Sequence, residues 1–169
     1  MDETKERGLY VAAAVVLPAA LNPARQAIKK LVLPKQRRIH FHKEKDARRW
    51  TILNAIIGLG AEVIIYDAAG QRSIKAARDA CLTQLVADLA KINAARLVLE
   101  RDDSTIQSDQ QLLYREVRTA GMADEFRYDL MRAHEEVLLA IPDAVAWCWA
   151  KGGRWRLAAE QVVMEKRHV

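Results

Sequence analysis

Three carboxylates stand at the ends of apolar runs in this chain. Asp2 precedes the run 9–17, Glu100 closes the run 96–100 with Asp102 just after it, and Asp143 follows Pro142. Acids at strand ends and at a helix start are placed where a sheet-based metal site needs them. Brought together, they repel one another unless a cation neutralises them. Mg²⁺ and Mn²⁺ prefer such oxygen ligands. Two of these ions about 4 Å apart clamp a phosphodiester, one activating water and one stabilising the leaving oxygen. Asp143 also has a plainer reading: with Pro142 as first helical residue, the helix N-terminus favours an anion there, and Asp143 is a capping-turn acid.

The positive charge is concentrated. Of 27 basic and 22 acidic residues, ten basic residues fall between 25 and 49 against only Glu44 and Asp46, so the rest of the chain carries an acidic excess. A segment of this kind neutralises phosphates and releases their counterions. Its alternative is a solvated surface of snorkelling side chains.

Residues 9–17 read as a strand buried on both faces and bounded by Pro18. Asn22 caps a helix with Pro23 at its first position, running to about 31. "QRRIHFH" (36–42) is a short strand, and 44–59 carries a helical stripe at Trp50, Leu53 and Ile57. A strand at 61–67, the longest helix at about 73–93 and a strand at 96–100 follow. A helix begins at Ser104 or Ser108 and ends at Gly121, then come a weaker strand in "EFRYDLM" and an apolar helix over 137–150. Gly152 and Gly153 break that helix before a final amphipathic one. Alternating strands and helices predict an α/β sheet with helices packed on it.

The order "DET", "VAAAVVLP", "LVLERDD", "LLAIPDAVAW" resembles the ribonuclease H-like superfamily. More narrowly, it is similar to the uncharacterised proteins of that superfamily that open on an Asp-Glu-Ser-Gly strand end and close on a Gln-x-Ala-Asp-x-x-Ala helix. The resemblance covers nearly the whole chain and implies one ribonuclease H-like domain over 1–169, a mixed sheet flanked by helices, with a basic helical insertion at about 22–59. Residues 9–17, 61–67, 96–100 and 126–131 become its second to fifth strands. Asp2 matches the acid ending the central first strand, Glu100 the acid ending the fourth, and Asp143 the acid entering the last helix. On this reading the earlier residues of the first strand are absent, and a sheet lacking its central strand is unstable.

The function implied is a metal-dependent nuclease acting on DNA or RNA. Asp2, Glu100 and Asp143 hold Mg²⁺ or Mn²⁺, and Arg37, Arg38, Lys43, Arg48 and Arg49 hold the phosphate backbone. His40 or His42 shuttles a proton near the leaving group. Thr4 and Lys5 replace the family's Ser-Gly, Arg38 stands where relatives often have Glu, and Ala140 where Gln is usual. The fourth acid is therefore unassigned: Glu44 is the first choice, Asp67 and Asp79 the alternatives. The competing function is a catalytically inactive module of the same class that binds nucleic acid or a protein partner.

Other motifs carry less. In "IHFH" the two imidazoles share a strand face, but a zinc site needs two more ligands at a usual spacing. "HEEVL" has Leu138 where a zinc-protease helix needs its second His. Glu135 or Glu136 is a further acid able to approach the site, Glu136 sharing a helix face with Asp143 if that helix runs through Pro142. The glycines of "GLGAEVIIYD" precede a strand instead of following one, so they are not a dinucleotide fingerprint. Trp147, Trp149 and Trp155 read as packing between the last two helices, with base stacking the alternative. Cys81 and Cys148 have no ligand-spaced partner and fit a reduced, cytoplasmic protein. Asp2, Glu3 and Glu6 make the leader acidic, against a signal peptide. Pro18 stops the apolar run short of the roughly 20 residues a membrane span needs.

Overall fold

The computed structural model describes the backbone of residues 2–4 and the whole of residues 10–169. Along the chain run β1 (Asp2–Thr4), β2 (Tyr10–Val15), α1 (Leu21–Leu31), α2 (Asp46–Gly58), β3 (Glu62–Asp67) and α3 (Ile74–Lys91). These are followed by β4 (Arg96–Glu100), α4 (Ile106–Thr119), β5 (Arg127–Met131), α5 (Ala140–Lys151), α6 (Gly153–Ala159) and β6 (Val163–His168).

Among the described residues the strands form two groups. One sheet has the order β1-β2-β3-β6, antiparallel from β1 to β3, with β6 parallel to β3. β4 and β5 form a parallel pair.

The two-residue period of the strands divides the core in two. Val11 and Ala13 of β2, Tyr66 of β3 and Leu97 and Leu99 of β4 enter one cluster with the apolar faces of α3 and α4. Ala12 of β2 and Val63 and Ile65 of β3 enter the other, against α1, α2, α5 and α6. Helices thus cover both faces of a mixed sheet, an α/β architecture.

Local signals explain the elements that matter for the site. Ser73 accepts the Ala76 N–H at 3.1 Å and caps α3, whose Ala77, Cys81, Leu82 and Leu85 are buried. α5 is apolar on almost every side, as a helix enclosed by protein must be. Only Asp143, Trp147, Ala150 and Lys151 escape full burial along it. Among the described residues no helix is long and apolar enough to cross a membrane.

Four expectations need correction. Residues 36–42 are not a strand: Ile39 and Phe41 are buried as alternation predicts, but Phe41–Lys43 is a 3₁₀ turn. Side chains satisfy its backbone in place of a neighbouring strand, Asp143 accepting the Phe41 N–H and Arg49 donating to the carbonyls of Phe41 and His42. The last apolar helix is preceded by a separate 3₁₀ turn over Val137–Leu139, with Glu136 accepting the Leu138 N–H. Helix α5 then begins at Ala140, so Pro142 is its third residue, where a missing N–H leaves no intrahelical bond unmade. Similarly α1 begins at Leu21 after a 3₁₀ turn at Pro18–Ala20, without Asn22 as its cap. Finally, the chain beyond α6 turns into strand β6, a largely exposed strand at the end of the sheet order in which Glu165, Lys166 and Arg167 stand where a buried strand would be apolar.

Candidate functional site

Leu97 and Leu99 face α3 and α4, so Glu100, one residue further along β4, faces the opposite side. That side is where α5 and the 38–41 loop lie. Asp143 sits in the first turn of α5. Glu100 and Asp143 line one small cleft together with Arg38, Ile39, Val137 and Ala140.

Two contacts tie the basic segment to these acids. Arg38 Nη1 donates to Glu100 Oε1 at 2.6 Å, with the two side chains 30% and 23% exposed. The Phe41 N–H donates to Asp143 Oδ2 at 3.3 Å. Arg38 Nε also donates to His40 Nε2 at 3.0 Å, so that nitrogen must offer a lone pair and the imidazole is neutral. Burial, followed by the positive charges of Arg38 and Lys43, holds His40 below its usual value. His42 is exposed, and its contribution to the loop is the carbonyl that takes Arg49 Nη2 at 2.5 Å.

The remaining expected residues are distributed unevenly. Asp2 pairs in backbone register with Ala12 of β2, and its side chain lies outside the described residues. Glu44 is buried but does not line the cleft. Its carboxylate takes Gln36 Nε2 at 3.2 Å and lies 3.7 Å from Arg48 Nε, so it braces the loop onto α2. Asp67 is bound by Lys166 at 2.9 Å and by the Ala69 N–H at 3.1 Å, and Asp79 pairs with Lys75 at 2.6 Å. Neither lines the cleft.

Arg37 and Lys43 are exposed and available to an anion. Arg48 and Arg49 are engaged within the molecule. Arg48 donates to the Leu31 carbonyl at the end of α1. Arg49 donates to Phe41 O at 3.0 Å and pairs with Asp46 at 2.8 Å.

Among the described residues no three His, Cys, Asp or Glu side chains gather to hold a metal ion. The donor chemistry of Glu100 and Asp143, hard carboxylate oxygens on one cleft, suits a divalent oxygen-preferring cation. They are two of the three ligands expected from the sequence.

Two features of the surroundings were not legible beforehand. Glu136, considered as a site acid, is buried in a forked pair with Arg25 of α1, at 2.6 Å from Nη2 and 3.1 Å from Nε. Burial raises its affinity for a proton, but Arg25 and the Leu138 N–H outweigh this and hold the carboxyl below its usual value. The tryptophans also divide differently. Trp147 meets Phe41 and Trp155 edge-on, each at 5.4 Å, and Trp155 stacks at 4.5 Å on Trp50 of α2. Trp149 is buried apart from them, under the guanidinium of Arg156 at 4.3 Å.

No family model, curated protein or solved structure matches this chain.

Proposed function

We propose that this chain is a metal-dependent nuclease of the ribonuclease H-like class, hydrolysing phosphodiester bonds of DNA or RNA. The observation that carries the reading is the convergence of Glu100 and Asp143, from the end of β4 and the start of α5, on one cleft bordered by Arg38. Part of the strand arrangement supports it, although β1 lies at one end of its sheet and no pairing among the described residues joins it to β4. β1 bears Asp2, β2 and β3 follow as an antiparallel run, Glu100 ends the fourth strand, and β5 lies parallel to the fourth.

In this reading Asp2, Glu100 and Asp143 are the residues that would hold Mg²⁺ or Mn²⁺, which when bound supplies an activated water and charge for the leaving oxygen. The chain's own side chains do the rest. Arg37 and Lys43 attract the phosphate backbone. Arg38, released from Glu100 when that carboxylate takes another cation, neutralises a phosphate at the cleft mouth. His40, held neutral by its surroundings, accepts or passes a proton beside it. The setting proposed is the cytoplasm, where the thiols of Cys81 and Cys148 stay free.

One observation favours a second reading. With Arg38 paired to Glu100, the carboxylate already has a counter-charge without any metal. The chain would then be an inactive module of the same class that binds nucleic acid or a protein partner.

Titrating Mn²⁺ into the protein and following the bound ion by electron paramagnetic resonance separates the two. The nuclease reading expects saturable binding that weakens at least tenfold in Glu100→Gln and in Asp143→Asn. Binding that is absent, or indifferent to both substitutions, overturns it in favour of the inactive module.

A further inference from the structure

The least buried stripe of α5 begins at Asp143 and continues through Trp147, both half-buried, to the exposed Lys151 at four-residue steps. Residues so spaced lie one above another on a helix. Every other α5 side chain except Ala150 is buried, and the stripe itself is partly covered: Asp143 accepts the Phe41 N–H, and Trp147 meets Phe41 and Trp155 edge-on with the Arg49 guanidinium 4.3 Å from its ring centre. The stripe leads directly away from the cleft.

Beside it stands the aromatic group. Gly152 and Gly153, at φ 75° and 53°, reverse the chain at a place where L side chains are strained. Helix α6 therefore folds back and sets Trp155 between Trp147 and Trp50. Cations accompany the rings: the Arg154 guanidinium is 5.3 Å from the Trp155 ring centre and 6.0 Å from that of Trp50, and Lys151 Nζ is 5.9 Å from that of Trp147. Arg154 remains 64% exposed and its carboxylate partner Asp46 is shared with Arg49, leaving the patch with a positive excess.

We infer that Trp50, Lys151 and Arg154, backed by Trp155 and Trp147, form a binding track for single-stranded nucleic acid, a flanking subsite that receives the strand as it leaves the Glu100–Asp143 cleft. Interleaved rings and cations fit this ligand. Bases present a π-face only when unpaired, while their phosphates need the neighbouring positive charge. A duplex keeps its bases stacked inside and meets only the charges. The inference rests on the nucleic-acid reading of the cleft and adds to it a substrate form and the residues that select it.

The test is binding of a fluorescein-labelled oligothymidylate and of a hairpin duplex of equal phosphate number, read by polarisation and by tryptophan emission. Wild type, Trp50→Leu, Lys151→Ala and Arg154→Ala are compared, with circular dichroism to check that each is folded. The expected result is tighter binding of the single strand with quenched emission, a loss of fivefold or more in Trp50→Leu, and a shallower salt dependence in Lys151→Ala and Arg154→Ala. Hairpin affinity stays within twofold in Trp50→Leu.

Equal affinity for both ligands with unchanged emission, or single-strand binding unaltered by all three substitutions, overturns the track. The nucleic-acid reading survives that result if the hairpin still binds and the binding weakens in Arg37→Ala and Lys43→Ala. Absence of binding to either ligand overturns both.

Discussion

Arg38 and Glu100 form an ion pair at 2.6 Å that joins the basic segment between β2 and β3 to the end of β4. The arginine thus stands at the carboxylate where the proposed activity requires a metal ion, and the two cations compete for one acid.

This competition predicts opposite effects on stability and on metal affinity. Because both side chains are about a quarter exposed, Arg38→Ala should lower stability by no more than about 1 kcal/mol. Mn²⁺ affinity should rise severalfold, since Glu100 loses its competing cation. Calorimetric titration checks this, and an unchanged or weaker Mn²⁺ affinity would argue that Glu100 is not a ligand.

His40 predicts a pH dependence. Burial and the neighbouring Arg38, Lys43 and His42 hold its value below the ordinary 6.5, with Glu44 the opposing charge. The unfolded chain therefore takes up this proton before the folded one as pH falls. Stability from neutral His40 is complete above 6.5 and is lost as pH falls through the folded value. An NMR titration of the His40 ring should give a midpoint below 6.5. A midpoint at or above it would mean that the Arg38–His40 hydrogen bond does not persist in solution.

How much of this was readable beforehand depends on whether the cause was local. Strand β4 was expected at its observed bounds because a short apolar run ends in acids, and Ser73 announced α3 because a cap acts within three residues. The basic segment was legible from charge alone. Its conformation was not, because alternation at Ile39 and Phe41 records burial, whereas the backbone partners Asp143 and Arg49 come from other elements. Strand β6 was hidden for a related reason: it lies at the sheet edge, where Lys166 and Arg167 satisfy Asp67 and Asp88 in place of packing into a core. Trp50 gave no sign of its stacking on Trp155, a contact between α2 and α6, which are neighbours in space but far apart in the chain.

Glu136 anchors α1 to the turn before α5 through Arg25 and should matter for folding. Glu136→Gln should destabilise by about 1–3 kcal/mol at neutral pH, because the half-buried Arg25 loses the buried carboxylate onto which it forks. The carboxyl is held below its usual 4.5, so this contribution is present above that value and lost as pH falls through the folded one. Denaturant melts of the two proteins should converge in acid. A constant difference down to acid pH would contradict the assignment.

The Arg78–Asp109 pair welds α3 to α4 with both side chains almost fully buried, at 2.9 Å for each of two contacts. Breaking it leaves a charge without its partner in the core. Asp109→Ala should cost about 3–5 kcal/mol, and replacing both residues by Leu should recover most of that loss. Urea unfolding measures both. Equal loss in the single and double variants would show that the pair's geometry, not its charge balance, holds the helices.

If Glu100 and Asp143 belong to a metal-dependent nuclease site, the protein cuts nucleic acid only with a divalent cation and only with both acids intact. The most direct measurement incubates the protein with labelled single-stranded, duplex and hybrid substrates in Mg²⁺ and in Mn²⁺, beside Asp143→Asn. Asparagine keeps an oxygen for the Phe41 N–H but removes the charge, so the variant should fold. Cleavage by the wild type, abolished by chelation and by Asp143→Asn, is the predicted result. Cleavage that persists in Asp143→Asn, or no cleavage of any substrate with either ion by a folded protein, would contradict it.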